Sequence, residues 1–549
     1  MLNVLLPVRP LQQFLIAHLH HLGLALVMIL FMWVSSTDLS HSPILDPAQT
    51  GIAAPAARLA RSGVYGNELY SGFYEAEIRN YEYQPLYPLL VAGSFALFGV
   101  GIWQARVVSV IFGALTILFT YALGRKVLDR NAGLIAAVVI AILPIAVPGK
   151  IAGHLYPGPI PLLDLARVIR YDIAVPVGVL AASLAFLGAV PGRDPFRFLA
   201  AGALVGAATL AHVYGAFILP VFLAVLILKR WPIRQLVRTM ILLLIGFFVI
   251  NLPWLIYIGQ DVGNFQGQML RHQARLGYGD LSFYLDNLLR EPWRYLKLLG
   301  GFLPPILYSR PSFWLWSIAV LAGWRQIWKE ARASRETGQL FLLISVPIMA
   351  LELALLISFK RYAYLILLLP FLAVYCGLGV MSLWRWAKER SHVVRAIAWI
   401  MLAWVLLDTL DALNKHVAAA ESVTPFEDIA AEAQMIVPED VPLIIHHRYW
   451  FGFQDRPTYS LGLISSLANP AFSIESPRAV AAIMDSYRPF YSVLNLELLE
   501  NYVPFAAGGP KNDPHQTEAI HRYYLEFCEL IYYGETDLDY GTLIVYACE

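Results

Sequence analysis

The chain has 549 residues, of which 58% are hydrophobic and 14% charged, with a formal net charge of +1 and a mean hydropathy of +0.59. Soluble domains are roughly 45–50% apolar and about 25% charged, so an ordinary soluble globular protein is excluded. A balanced charge also speaks against nucleic acid or another polyanion as partner.

Apolar runs of about 17–25 residues recur, each long enough to cross a bilayer as a helix. The expected fold class is therefore a polytopic α-helical membrane protein. In chain order, spans are expected at roughly 16–34, 104–123, 132–148, 173–190, 198–211, 213–228, 240–258, 303–323, 340–358, 362–382 and 396–413, about 11 in all. Residues 86–101 form a further embedded or interfacial segment. No small-residue cleavage site follows the first run, so it reads as a retained helix.

Lys and Arg concentrate in GRKVLDR (124–130), PGRDPFR (191–197), KRWPIRQLVR (229–238), WRQIWKEARASR (324–335) and WRWAKERSHVVR (384–395). By the positive-inside rule these five loops are cytoplasmic. Loops 35–85, 149–171 and 259–300, a tight turn near 359–361 and everything after about 413 then face outward. This divides the chain into a transmembrane domain, 1–413, and an extracytoplasmic α/β domain, 414–549, in a multi-pass protein of the cell membrane.

The tail is more charged. TPFEDIAAEAQMI reads as a helix capped by Thr424 with Glu427 three residues on. VPLIIHHRYW and YSVLNLELLE read as strands, QTEAIHRYYLEFCELIYY as a helix and YGTLIVYACE as a final strand. Cys528 and Cys548 both lie here, in an oxidising location on this topology. Two cysteines alone do not define a framework, so paired and unpaired readings both stand. Cys376, within a span, reads as a packing residue.

The first outer loop is long, acidic and tyrosine-rich, and loops over about 15 residues are usually functional or disordered. Its Asp46-Pro47-Ala48-Gln49 is a helix start: Asp as N-cap, Pro at the first position, Gln three residues after the cap. The helix should run to Ser62 and stop at Gly63. A capping carboxylate uses one oxygen and leaves the other free for a proton from an acceptor group.

Arg170-Tyr171-Asp172 opens the fourth span on the same face. It reads either as an interfacial arginine with a helix-start acid, or as an arginine for phosphate beside an aspartate for acceptor or metal. The preceding loop adds Lys150, His154, Asp164 and Arg167. The third outer loop carries Arg271, His272, Arg275, Arg290 and Arg294. A solvated amphipathic helix explains these, and arginines beside a bilayer also suit a lipid phosphate. Lys360-Arg361-Tyr362 is a further basic point, by snorkelling or by ligand contact. His212 reads as a satisfied polar group between helices. P-loop, GxGxxG, HExxH and CxxC motifs are not found, so ATP-driven transport by this chain alone is not expected.

ALFGVGIWQARVVSVIFGALTILFTYALGRKV, RVIRYDIAVPVGVL, LVGAATLAHVYGAFILP and KRYAYLILLLPFLAVYCGLG follow a first span and an outer loop with an early Asp. In that order they resemble the polyprenyl-phosphate-dependent GT-C glycosyltransferases, and within them the protein mannosyltransferase and aminoarabinose transferase branch. The resemblance covers roughly residues 22–383. It implies a GT-C-like fold and inverting transfer of a sugar from a polyprenyl phosphate to an acceptor glycan, lipid or protein. Asp46 would be the base and Asp172 the second acid. Family members usually bear an Asp-Glu pair where this chain has Asp46-Pro47, which weakens the case for a divalent metal held by adjacent carboxylates. Gln84-Pro85-Leu86 stands where a lysine is common, so Arg170, Arg271, Arg275 and Arg361 become the candidates for donor phosphate. Tyr83, Gln84, His154, His272 and Tyr362 are candidates for substrate contact.

A polyprenyl-lipid flippase or transporter is the alternative. It predicts ionisable groups near mid-membrane and related halves. Glu352 is one of few such charges, and no internal repeat is evident. A scaffold role leaves the long first loop unexplained.

Overall fold

The structure is a computed structural model describing residues 8–144, 149–151, 154–156, 160–276, 281–300, 310–357, 362–472, 478–500 and 514–549. Ten of the eleven expected spans coincide with helices, namely Val8–Ser36, Ile102–Val127, Arg130–Ile142, Ala174–Leu187, Pro195–Ala211, Ile218–Leu228, Ile233–Gly259, Thr337–Leu356, Leu369–Lys388 and His392–Glu421. The expected span 303–323 begins outside the described residues and continues as Pro311–Ser334. Among the described residues, 6 helices are long and apolar enough by themselves to cross a membrane. The remaining apolar helices are shorter. Arg130–Ile142, for instance, has 13 residues, about 20 Å of rise, so adjoining segments must complete any crossing.

Helix pairs pack through glycines. A Cβ on Gly323 would overlap the Tyr375 carbonyl, and one on Gly379 the Ala319 carbonyl. This is the small-residue contact by which helices approach closely in lipid.

Two basic loops meet at one end of the bundle, where Lys229 Nζ donates to the Arg335 carbonyl at 2.8 Å. The expected outer segments meet at the other end. The first loop contains the helix Pro47–Ser62, closed by Gly63 at φ 72°, as expected. Its tip is held from two sides. Gln268, on the amphipathic helix Val262–Leu276, donates to the Tyr74 and Arg79 carbonyls and accepts from the Tyr81 amide at 2.8 Å. Tyr74 Oη reaches the Phe472 carbonyl at 3.1 Å in the C-terminal domain. The third loop forms the two amphipathic helices Val262–Leu276 and Leu281–Gly300. The second holds the hairpin β1 (Gly149–Ile151) and β2 (His154–Tyr156) and the buried helix Pro161–Ala166. Leu86–Phe98 is a separate helix packed on Pro47–Ser62.

The tail folds as a five-stranded sheet in the order β4-β3-β5-β7-β6, from β3 (Leu443–Ile445), β4 (Thr458–Ser460), β5 (Phe490–Asn495), β6 (Glu529–Asp537) and β7 (Gly541–Cys548). β3 pairs in parallel with β4 and β5; β5, β7 and β6 pair antiparallel. Alternation of side chains along each strand splits its core. Leu443, Ile445, Val493, Leu543 and Val545 join the core shared with the bundle. Ile444, Leu494, Ile544 and Tyr546 pack instead against the helices Leu461–Ala468, Val480–Asp485 and Pro514–Phe527.

Four local expectations are corrected. The presumed strand YSVLNLELLE is a strand only to Asn495 and then the short helix Leu496–Glu500. The stretch around Thr424 forms the helix Phe426–Ile436 with Pro425 at the cap. Thr424 Oγ1 bonds Asp537 at 2.7 Å instead, because Pro425 moves the helix start past it. The presumed strand 441–450 is a strand only at 443–445 and then a 3₁₀ turn, His447–Gly452. The helix expected to run through LEFCELIYY ends at Phe527, and LIYY belongs to β6. The break is at Cys528, disulfide-bonded to Cys548. That bond joins the start of β6 to the end of β7. Cys528→Ser is expected to cost the domain about 3 kcal/mol by loop entropy, read as a lowered midpoint in chemical denaturation.

His446 is buried, and its Nδ1 accepts from the Asn495 amide at 2.8 Å. Burial, helped by Arg448 and His447, pushes its pKa down from 6.5 to about 3. Below 6.5 the unfolded chain takes a proton that the fold refuses. The domain's stability is therefore complete above that pH and should fall by about 1.4 kcal/mol per pH unit as the solution is acidified toward 3. Thermal midpoints between pH 7 and about 4 should show this slope, flattened in His446→Asn.

Candidate active site

Asp46 is the N-cap of Pro47–Ser62, its Oδ1 accepting from the Gln49 amide at 2.9 Å. Its other oxygen makes no hydrogen bond among the described residues. The Gln49 side chain, itself buried, extends the link. Its Oε1 accepts from the Ile169 amide at 3.2 Å and from Arg106 Nε at 3.1 Å. The carboxylate of the first loop is thus tied through one glutamine to the residue before Arg170.

Two buried arginines fasten the same loop. Arg106 donates Nη1 to the Leu39 carbonyl at 3.0 Å and Nη2 to that of Pro43. Arg167 donates to the Val34 and Ser42 carbonyls at 3.0 and 3.2 Å. Burial pulls the Arg167 pKa down to about 10, with Asp164 and Asp38 opposing, so it remains a cation at neutral pH.

The 168–170 backbone is locked in turn. The Arg170 amide donates to Tyr87 Oη at 3.2 Å, Tyr87 bonds Ser109 Oγ at 2.6 Å, and Ser109 donates to the Val168 carbonyl at 2.6 Å. The Arg170 side chain turns onto Asp172, Nε to Oδ2 at 3.0 Å, and its two terminal amino groups make no hydrogen bond among the described residues. Burial alone would lower the guanidinium's pKa. Asp172, then Tyr171 and Asp46, outweigh it and hold the group above its ordinary range, so it stays charged.

Asp172 is wholly buried. Its second oxygen accepts from the Tyr214 hydroxyl, so each oxygen already holds one donor. Tyr214 sits in a 3₁₀ turn, Val213–Phe217, begun by His212. The Tyr171 ring stacks on His212 at 5.1 Å and 16°. Tyr83 lies 5.8 Å from Tyr171, and Tyr364 5.6 Å from Tyr214. Tyr83 also meets the first-loop helix, where a Cβ on Gly51 would come within 2.9 Å of its hydroxyl. His212 is therefore a wall of this group, more than a polar spacer between helices.

The structure brings together Asp46, Arg170, Asp172 and Tyr83. Gln84 is half-buried in the stretch after Tyr83. His154, Arg271, His272, Arg275 and Tyr362 lie in strands or helices, but their side chains, like the whole of Lys360 and Arg361, are outside the described residues. Among the described residues no group of three or more His, Cys, Asp or Glu is placed to hold a metal. Pro47 stands beside Asp46 in place of a second carboxylate, and the Asp172 oxygens are bonded to Arg170 and Tyr214. Arg106, Tyr87, Ser109 and Tyr214, which no sequence motif marks, carry the arrangement together with Gln49, expected only as part of the helix start. Arg106, a lone charge in an otherwise apolar run, was the available signal.

Residues 83–257 match the family model described as dolichyl-phosphate-mannose-protein mannosyltransferase. No curated protein sequence matches the chain. The fold is similar to that of ArnT from Cupriavidus metallidurans bound to undecaprenyl phosphate, with TM-score 0.58 and 16% identity over 96% of this chain and 97% of that one. It is also similar to AglB, the archaeal oligosaccharyltransferase from Archaeoglobus fulgidus, in complex with an inhibitory peptide and a dolichol-phosphate, with TM-score 0.54 and 14% identity over 97% of this chain and 75% of that one. The chain thus has a GT-C-like membrane fold with a small C-terminal α/β domain. Within that class it resembles the protein mannosyltransferase and aminoarabinose transferase branch.

Proposed function

We propose that the protein is an integral membrane glycosyltransferase that moves a sugar from a polyprenyl-phosphate donor to an acceptor, with inversion, at the extracytoplasmic face. The observation that carries this reading is a half-free carboxylate, Asp46, joined through Gln49 to the backbone of Ile169, the residue before the fixed cation Arg170.

Asp46 takes the proton from the acceptor hydroxyl or amine as that atom attacks the anomeric carbon. The carbon–oxygen bond to phosphate breaks on the opposite side, and the polyprenyl phosphate leaves as an anion without needing a proton. Arg170 offers its two free amino groups to the developing charge, commonly a large catalytic contribution. Asp172 and Tyr214 hold Arg170 in place, so Asp172 positions the cation and does not itself touch the acceptor. The aromatic group around Tyr171 supplies the apolar, water-poor surroundings in which such charges act most strongly. The positive-inside rule puts this end of the bundle outside the cytoplasm, where the disulfide would persist.

The test is purified protein in liposomes with a radiolabelled polyprenyl-phosphate sugar. Label leaving the lipid for an acceptor supports the transferase. Label that only changes leaflet sinks it in favour of a flippase.

A further inference from the structure

We propose that the cleft between the helix Pro47–Ser62 and the C-terminal domain is a binding subsite for a short, uncharged oligosaccharide. It would take the distal part of the acceptor, a role that rests on the glycosyl-transfer reading. The cleft has a volume of about 510 Å³ and is lined by Arg58, Arg61, Glu77, Trp450, Asp455 and Tyr459, among others. Ligand sites commonly enclose about 300–1,000 Å³, so the space suits several linked sugars.

Its chemistry selects the occupant. Its lining holds three arginines, Arg58, Arg61 and Arg456, and three carboxylates, Glu68, Glu77 and Asp455. Arg61 meets Asp455 at 2.9 Å and Arg58 meets Glu68, so no net field favours a polyanion or a polycation. Sugar hydroxyls both donate and accept, and a wall of guanidinium groups, which only donate, and carboxylates, which only accept, can satisfy both. Trp450 and Tyr459 add aromatic rings to the same wall, with Tyr459 held 4.5 Å from Tyr487, and aromatic rings give the apolar body that a sugar's C–H face can cover. An acyl chain would strip water from these charged groups and offer them no hydrogen bonds in return.

Its place fits an extended acceptor. The helix runs from Asp46 past Ala54 and Arg58, both of which line the cleft. At 1.5 Å per residue these lie roughly 12 and 18 Å along the helix from the carboxylate. A ligand lying there reaches Asp46 only if further sugar units, or a linker of that length, continue toward it.

The experiment titrates the full-length, detergent-solubilised protein with mannotriose and chitotriose, read by saturation-transfer NMR. Binding of at least one is expected, weakened about tenfold or more in both Tyr459→Ala and Glu77→Gln, the latter keeping an acceptor for the Gly72 amide. Binding of a radiolabelled polyprenyl-phosphate sugar should be the same in both variants as in the parent protein. No binding of either trisaccharide, or binding that both variants leave intact, overturns the proposal. Asp46→Asn should bind trisaccharide normally whether or not it still transfers sugar, so failure of the cleft and failure of the transferase reading are seen separately.

Discussion

Asp46→Asn is expected to lose at least about a hundredfold in turnover, the scale on which acid–base groups act, while the protein stays folded. Retention of the fold is what makes the experiment decisive. An asparagine side-chain oxygen still accepts from the Gln49 amide, so the helix cap, the Gln49 bridge to Ile169 and the carbonyl bonds of Arg106 have no reason to change. What Asn cannot do is take a proton. Steady-state transfer rates, with binding of donor measured in parallel, check the prediction. Turnover close to that of the parent protein would reduce Asp46 to a cap and leave the reaction without its base.

Removal of Arg170 should act on the donor, but Arg170→Ala alone is a poor probe. It strands the buried Asp172 carboxylate, and breaking a buried pair from one side typically costs about 3–5 kcal/mol. Lost activity could then be lost folding. The double variant Arg170→Ala/Asp172→Asn removes both charges together and leaves Tyr214 an amide oxygen to bond. We expect it to fold and to lose about 10²–10³ in turnover, as when a charge-stabilising donor is deleted, together with weaker binding of the phosphate-bearing donor. The single variant Asp172→Asn should be milder, since Arg170 keeps its backbone anchor on Tyr87. Donor-saturation curves distinguish the two, and equal curves for parent and double variant would remove Arg170 from the site.

Much of this architecture is written in local pattern. The span positions follow from runs of apolar residues, and the helix after Asp46 follows from a cap, a proline and a terminating glycine within eighteen residues of chain. Arg170 and Asp172 were visible because they are neighbours in sequence. What joins them to Asp46 was not. Gln49 reads as an ordinary third helical residue until folding buries it against Ile169 and Arg106. Tyr214 meets Asp172 only because His212 interrupts two short helices, and no periodicity announces where such a break will aim a side chain. The strand after Cys528 departs from its local pattern for a related reason. LEFCELIYY suits a helix by local pattern, and only pairing with β7, tied at its end by the Cys528–Cys548 bridge, makes its second half a strand.

Arg106 has a consequence beyond fastening the loop. Its hydrogen-bond partners are a glutamine and two peptide carbonyls, all electrically neutral, so no directly bonded anion cancels its charge. A full positive unit, shielded from water by its burial, therefore sits under the segment that displays Asp46. Dipoles can solvate such a charge without extinguishing its potential, which reaches outward with little ionic screening. The resting molecule is in this sense pre-polarised. For the phosphate-bearing donor proposed above, this charge would add attraction at a distance, offset in part by Asp46 and Asp38.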